Sequence, residues 1–323
     1  MNKPSSLVSP AKDYLSFIDA SRLIKADKEV LDKLNKDIEK ATTPEGQFGF
    51  NAIIQTPEVY LENSQFDFEF DVPFDDDAIA NEATITIYGL SESTANKFKI
   101  NNTCRITAGY KDNVGIIFEG YITSAKTKWE GVERVTKITA VDDITYNAKL
   151  VDEITFSKGT KASTILKSLL DRLGLPVAVF HVARDHTYED ETKVSGNIIE
   201  NVKTYSEVCS VSTYIYKQQI YCRPLWEGDN LYFYVAPETG MIDSPELFEE
   251  EGDYEQYNDK ITGYNVKMIL THQIGTASII QLRSKSGKGD YRVMSGKHSY
   301  DGLSATTEVK VMVSKDTKIV QQK

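Results

Sequence analysis

The chain has 323 residues, 40% of them hydrophobic and 26% charged, with a formal net charge of −11. That is apolar content enough for a buried core spread over two or three domains, and it excludes a disordered chain. The acidic balance argues against a general nucleic-acid-binding surface, which needs surplus Lys and Arg to neutralise phosphate, although DNA could still slide past an acidic wall.

No apolar run approaches the roughly 20 residues that cross a bilayer, so no stable membrane insertion is expected. Met1-Asn2-Lys3-Pro4-Ser5-Ser6 lacks the apolar core of a signal peptide, and a soluble protein made in the cytoplasm is the reading. Cys104, Cys209 and Cys222 follow no metal-ligand spacing and make no even disulfide framework. Cys104, on an apolar strand face, reads as a buried free thiol.

Residues 1–12 are polar with Pro4 and Pro10, a flexible start. From residue 13 to 41, Leu15, Ile18, Leu23, Ile24, Val30, Leu31, Leu34 and Ile38 recur at helical spacing, and Asp27 can cap a second segment. Two readings stand: a surface helix packed on its own domain, or an arm docked on a neighbouring subunit. Residues 48–74 read as strands. Phe66, Phe68, Phe70 and Val72 alternate with Asp67, Glu69 and Asp71, and Pro73 puts this strand at an edge or ends it. Asp75-Asp76-Asp77 reads as a solvated acidic loop. A calcium site is the rival, but the spaced ligands and turn glycine of an EF-hand are missing.

Residues 82–129 run strand, polar break, strand, turn, strand, each with the period-two alternation of a half-buried sheet. Val135, Ile138 and Ala140 close this first unit, with Asp142 or Asp143 placed to cap a turn. From Ile154 the texture changes. Ile165, Leu166, Leu169, Leu170 and Leu173 share a helical face that Gly174 stops. Val177, Val179 and His181 suggest a short strand, and residues 196–210 a second helix. Strands over 213–225 and 231–236 flank Glu227-Gly228-Asp229-Asn230, a hairpin signal. Residues 243–259 form an acidic connector, read as a solvated loop. Strands at 261–270 and 277–284 follow, then a tail over 286–313 in which Gly287-Lys288-Gly289-Asp290 reads as a hairpin turn. His298 stands on an alternating strand with no catalytic partner and reads as a packed, hydrogen-bonded side chain.

The order of these strands resembles the baseplate hub proteins of contractile phage tails and related injection machines. The match lies in Ala83-Thr84-Ile85-Thr86-Ile87-Tyr88-Gly89-Leu90-Ser91, where Gly89 replaces the usual Asn, then in Cys104-Arg105-Ile106-Thr107-Ala108-Gly109-Tyr110 and Ile117-Phe118-Glu119-Gly120-Tyr121-Ile122. Late in the chain it continues through Tyr291-Arg292-Val293-Met294, Lys297-His298-Ser299-Tyr300 and Thr306-Thr307-Glu308-Val309-Lys310-Val311.

The resemblance covers residues 50–313. It implies a mainly β chain with an α+β insert: a helical arm (1–47), a tube-like β-barrel (48–152), an α+β inserted domain (153–240) and a second tube-like barrel (241–323). It further implies a homotrimeric ring that adapts a sixfold tail tube to a threefold spike, in the baseplate of a virion tail or a tail-derived bacteriocin. The tube and spike proteins are the implied partners, with tape measure and other baseplate proteins as further contacts. The two barrels are expected to superpose, each with a closing strand after a Gly-rich turn, at Gly120-Tyr121-Ile122 and Gly296-Lys297-His298. A C-terminal segment paired into the first sheet would undo this pseudo-sixfold argument.

No G-x-S-x-G elbow, H-E-x-x-H, C-x-x-C or phosphate loop is present, so no catalytic, cofactor-binding or metal residue is assigned and no enzyme is expected. The plentiful carboxylates keep a cell-wall glycan hydrolase open as a rival. The hub part of a long flexible-tail adhesin or lysin is another, disfavoured by the lack of a C-terminal extension.

Overall fold

The computed structural model describes residues 49–142, 150–229, 232–250 and 261–313. The expected N-terminal arm, Asp143 and the second half of the acidic connector lie outside them.

The first half is antiparallel: β1 (Phe50–Gln55), β2 (Tyr60–Glu62), β3 (Phe68–Phe74), β4 (Glu82–Tyr88), β5 (Thr103–Tyr110), β6 (Asn113–Glu130) and β7 (Glu133–Val141), with a one-turn helix α1 (Glu92–Ala95) capped by Ser91. Alternation puts Phe68, Phe70, Ile85, Ile87, Ile106 and Ile138 into one core. β6 is long and serves two partners: its start pairs with β5 as far as Tyr121, and its distal part pairs with β7 past a bulge between Ile122 and Ser124. β3 is not an edge strand. Pro73 lies beyond the last residue that β4 contacts, Asp71, and the strand ends one residue later.

The middle of the chain is the expected α+β unit. β8 (Leu150–Phe156) pairs with β10 (Thr192–Asn197), and β9 (Val177–Phe180), β11 (Ser212–Tyr216) and β12 (Gln219–Arg223) form a small sheet. Helix α2 (Ala162–Leu173) buries all five of its apolar face residues and stops at Gly174 in the left-handed region. In α3 (Ile198–Cys209) the Asn197 side chain accepts from the Ile199 and Glu200 amides.

The hairpin was misplaced by its sequence signal. The reversal falls at Lys217-Gln218, both at positive φ (48° and 62°), not at Gly228-Asp229. β13 (Tyr232–Val235) instead leaves this unit and pairs in parallel with β16 (Ile279–Arg283).

The remaining strands are β14 (Glu246–Glu250), β15 (Ile261–Ile269), β17 (Lys288–Tyr300) and β18 (Ala305–Val313). β14 lies in the acidic stretch read as a loop; Phe248 anchors it, packing against Leu225, Ile261 and Met312. The turn into β17 falls at Ser284–Gly287, so Lys288, Gly289 and Asp290 already belong to the strand. Gly120 and Gly296 lie inside β6 and β17 near bulges rather than in turns.

One larger correction follows from pairing. Gly296–Tyr300 of β17 pair with Phe70–Phe74 of β3, joining both halves in one 13-stranded sheet. The alternating Phe70, Val72 and Phe74 meet Tyr300, His298 and Gly296; Phe70, Val72 and Tyr300 belong to the core of the first half and Phe74 to that of the second. The two halves therefore share a sheet while each keeps a hydrophobic core of its own, and a pseudo-sixfold argument can no longer rest on sheets that are separate.

Candidate assembly surface

Eight strands follow one another across this sheet in the order β14-β15-β18-β17-β3-β4-β7-β6. Because side chains alternate, the registers assign every residue to one of two faces. The inner face carries Phe70, Ile85 and Ile138 in the first half, and Val266, Val309 and Val311 in the second. The outer face carries the charges, interrupted on the β14 side by an apolar patch of Phe248, Ile261 and Met312. It presents Glu69, Asp71, Glu82, Glu130, Glu133, Glu246, Glu250 and Glu308 against Lys126, Lys128, Lys137, Lys267, Lys297 and Lys310.

The charges on this face interleave. Lys267 and Lys297 reach Glu308 at 2.9 and 3.5 Å, Lys310 pairs with Glu250, and Ser299 Oγ donates to Asp71 at 2.7 Å. The Glu308 carboxylate holds the Lys267 ammonium above its ordinary range, through a hydrogen bond and then charge. Such cross-strand pairs each contribute a few tenths of a kcal/mol up to ~1. Their chemical consequence is a wall with nearly balanced charge, which offers phosphate little net attraction.

Among the described residues this eight-strand run has an open side at each end, while the full strand order continues from β6 through β5 and β1 to β2. β14 is terminal in the strand order. At the other end β5 stops contacting β6 at Tyr121, leaving residues 123–130 with β7 on one side alone among the described residues. Both ends expose apolar surface: Trp129 is 65% exposed and Leu247 66%, and Val132 stands at the tip of the β6–β7 hairpin. The Arg134 guanidinium lies 5.2 Å over the Trp129 ring, which stiffens the tip.

The Asp75–Asp77 segment is not a solvated loop; it locks the three units together. Arg292 of β17, wholly buried, places Nη1 2.7 Å from Asp76 Oδ2 and donates from Nε to the Glu227 carbonyl. Ser212 Oγ donates to the Asp76 carbonyl and Thr276 Oγ1 to that of Asp75. A second buried cation, Arg223, pairs with Asp229 at 2.7 Å and donates to the Tyr214 hydroxyl. Burial, with the charge of Asp77 behind it, pushes the Asp75 carboxyl up to about 6. Nothing in the local sequence marks Asp76 apart from its neighbours. Arg292, a cation inside the otherwise apolar Tyr291-Arg292-Val293-Met294, was the available signal.

His298 is buried, with Nδ1 2.8 Å from Thr307 Oγ1 and its ring 5.0 Å from that of Phe74. Burial, with Lys217 and His272 nearby, pushes its pKa down to about 3, which keeps it neutral. Asp142 accepts from the Asn81 amide and side chain, 61 residues away, beside the β4–β7 pairing rather than across a turn of its own. Cys104 is buried with its thiol pushed up to about 12. Among the described residues no three His, Cys, Asp or Glu side chains are grouped to hold a metal ion, and no helix is long and apolar enough to cross a membrane.

Fold and surface together define a class: a mainly β chain whose two halves share one sheet, with an α+β unit packed against the joint. No protein-family model matches the sequence, nor does any curated protein. Solved structures do match the fold. A tail protein from Neisseria meningitidis MC58 aligns over 82% of this chain and 97% of its own, with a TM-score of 0.60 at 7% identity. The 43 kDa tail protein of prophage MuSo2 from Shewanella oneidensis aligns over 81% and 96%, at 0.58 and 7%. An E. coli component of the type VI secretion system, described as similar to the T4 bacteriophage tail proteins gp27 and gp5, aligns over 80% and 76%, at 0.53 and 8%. The chain therefore has the fold of phage tail proteins and of their secretion-system counterpart, as its strand order implied.

Proposed function

We propose that the chain is a structural hub protein of a phage tail or tail-like injection particle, assembling as a homotrimeric ring between a hexameric tail tube and a spike. The observation that carries this reading is the eight-strand run with an apolar inner face, an outer face of interleaved charges and, among the described residues, a strand with an open side at each end. Edge strands left unpaired are aggregation templates unless another chain covers them. A head-to-tail contact that joins the two different ends closes into a ring when its rotation permits.

The sixfold side of the reading needs a further basis, since the two halves share one sheet. Equal strand numbers supply one: β14, β15, β18 and β17 on one side of the joint, β3, β4, β7 and β6 on the other. Three chains would present six such sectors to the tube and three α+β units outside them. The polar face would line the lumen, where balanced charge lets DNA or a protein cargo pass without sticking. The likeness to tail proteins supports a structural part and a place in the tail baseplate, with tube, spike and tape measure proteins as neighbours.

Light scattering coupled to size exclusion tests the ring. The expected particle has three times the mass of the 36.3 kDa chain. A monomer across the whole accessible concentration range overturns it.

A further inference from the structure

The α+β unit reaches the first half through the tip of the β11–β12 hairpin, where Gln218 Nε2 donates to the Glu119 and Asp142 carbonyls. Beside this tip the second half places the loop over 270–278, between β15 and β16. The His272 ring of that loop rests on Gly115 of β6, so closely that a Cβ there would lie 2.1 Å from Cδ2. A Cβ on Gly275 would likewise lie 2.3 Å from the Tyr216 hydroxyl. His298 ties the loop down: the Thr271 amide donates to Thr307 Oγ1 at 2.9 Å, the same oxygen is 2.8 Å from His298 Nδ1, and the ring also hydrogen-bonds the Ile274 backbone. Lys217 stands at the hairpin tip, its Nζ 5.0 Å from the Tyr216 ring centre, with no carboxylate partner among the described residues. It is the charged group that acts on His272, and Lys217 and His272 are those that act on His298. The carboxylates of the surrounding elements are engaged elsewhere. Glu119 lies on the opposite face of β6 from Gly115 and pairs with Arg105 at 2.7 Å, Asp142 binds Asn81, Asp76 holds Arg292, and Glu308 meets Lys297 on the outer face. Asp75 meets the loop through its carbonyl, which accepts from Thr276 Oγ1.

We propose that this cluster is an acid-sensitive latch: protonation of His272 and His298 beside Lys217 lifts the 270–278 loop and the hairpin tip from β6, while the pairing of β3 with β17 holds. In the closed arrangement a proton on either ring meets another cation and little water, whereas in the open one it is hydrated. Burial first, and Lys217 second, push His272 down to about 4 from 6.5. The closed contact is therefore complete above pH 6.5 and is lost as pH falls toward 4, by on the order of tenfold for each ring between pH 7 and pH 5.

Hydrogen exchange of the full-length chain, corrected for its intrinsic pH dependence, tests the latch. Residues 270–278 are expected to exchange at least about tenfold faster at pH 5 than at pH 7, with residues 68–74 of β3 and the circular dichroism unchanged. His272→Gln/His298→Gln is expected to abolish the rise. His272→Gln alone, at a half-buried position, removes the share its own ring carries, so the test does not hang on replacing the buried His298. Lys217→Gln, at an exposed position, is expected to displace the rise to lower pH. An unaltered chain that shows no rise before it unfolds as a whole overturns the latch. A rise that persists in the histidine variants, or that ignores Lys217→Gln, also overturns it and assigns the acid response to carboxylates such as Asp76.

Discussion

Replacing Asp76 by Asn leaves the Arg292 guanidinium buried without its counter-charge, and the structure sets the size of the effect. Arg292 is 0% exposed and Asp76 14%, their atoms are 2.7 Å apart, and Arg292 Nη2 has no hydrogen-bond partner among the described residues even now. Removing one member of a buried pair costs about 3–5 kcal/mol, because the orphaned charge has no water to return to. Asp76→Asn belongs near the lower end, since Nε keeps its bond to the Glu227 carbonyl and the Asn oxygen still accepts. Asp76→Asn/Arg292→Met, which removes the charge together with its partner, should be more stable than Asp76→Asn alone. Urea unfolding followed by tryptophan fluorescence measures both, with Trp226 next to Glu227 as the local reporter. A loss below about 1 kcal/mol for Asp76→Asn, or a double variant less stable than the single, refutes the view that this buried pair fastens the joint.

Titration should show two opposite trends. His298, held down near 3 from 6.5, contributes stability that is complete above pH 6.5 and is lost as pH falls toward 3, so His298→Gln should flatten acid unfolding over that window. Asp75, raised from 3.8 to about 6, contributes stability that is present below pH 3.8 and lost as pH rises through 6, so Asp75→Asn should remove that decline. Gly263→Ala would set a Cβ 1.8 Å from the Val311 carbonyl oxygen and 2.8 Å from the Phe248 ring. It should cost about 1–3 kcal/mol, seen as a lower urea midpoint, and speed hydrogen exchange in β14, the strand that Phe248 anchors. Peptidoglycan should release no fragments on incubation with the protein, and DNA should not be retained at physiological salt; cleavage abolished by changing one carboxylate would restore the hydrolase reading.

Much of the fold was legible because it is written in local periodicity. Phe68, Phe70, Val72 and Phe74 declare a half-buried strand by themselves, and Leu166, Leu169, Leu170 and Leu173 declare one face of a helix. The strand order of residues 83–122 was enough to suggest the tail-protein fold, because alternation and turn spacing survive where identity does not. Periodicity says which side of a strand is buried, but not which strand lies beside it. The pairing of β17 with β3, of β13 with β16, and the open sides of β14 and distal β6 are settled between residues tens to hundreds of positions apart.

Charge shows the same division. Three adjacent aspartates look alike in the sequence, yet Asp76 is drawn into the interior by an arginine 216 residues away. The hairpin at Lys217-Gln218 lacks glycine altogether, while Gly228-Asp229, the better turn signal, is held by the Asp229 amide donating to the Ala277 carbonyl. Composition and alternation determined that this chain would fold as a half-buried sheet. Only the tertiary packing decided which carboxylate lost its water and which edges remained open, because desolvation and pairing depend on what the rest of the chain brings alongside.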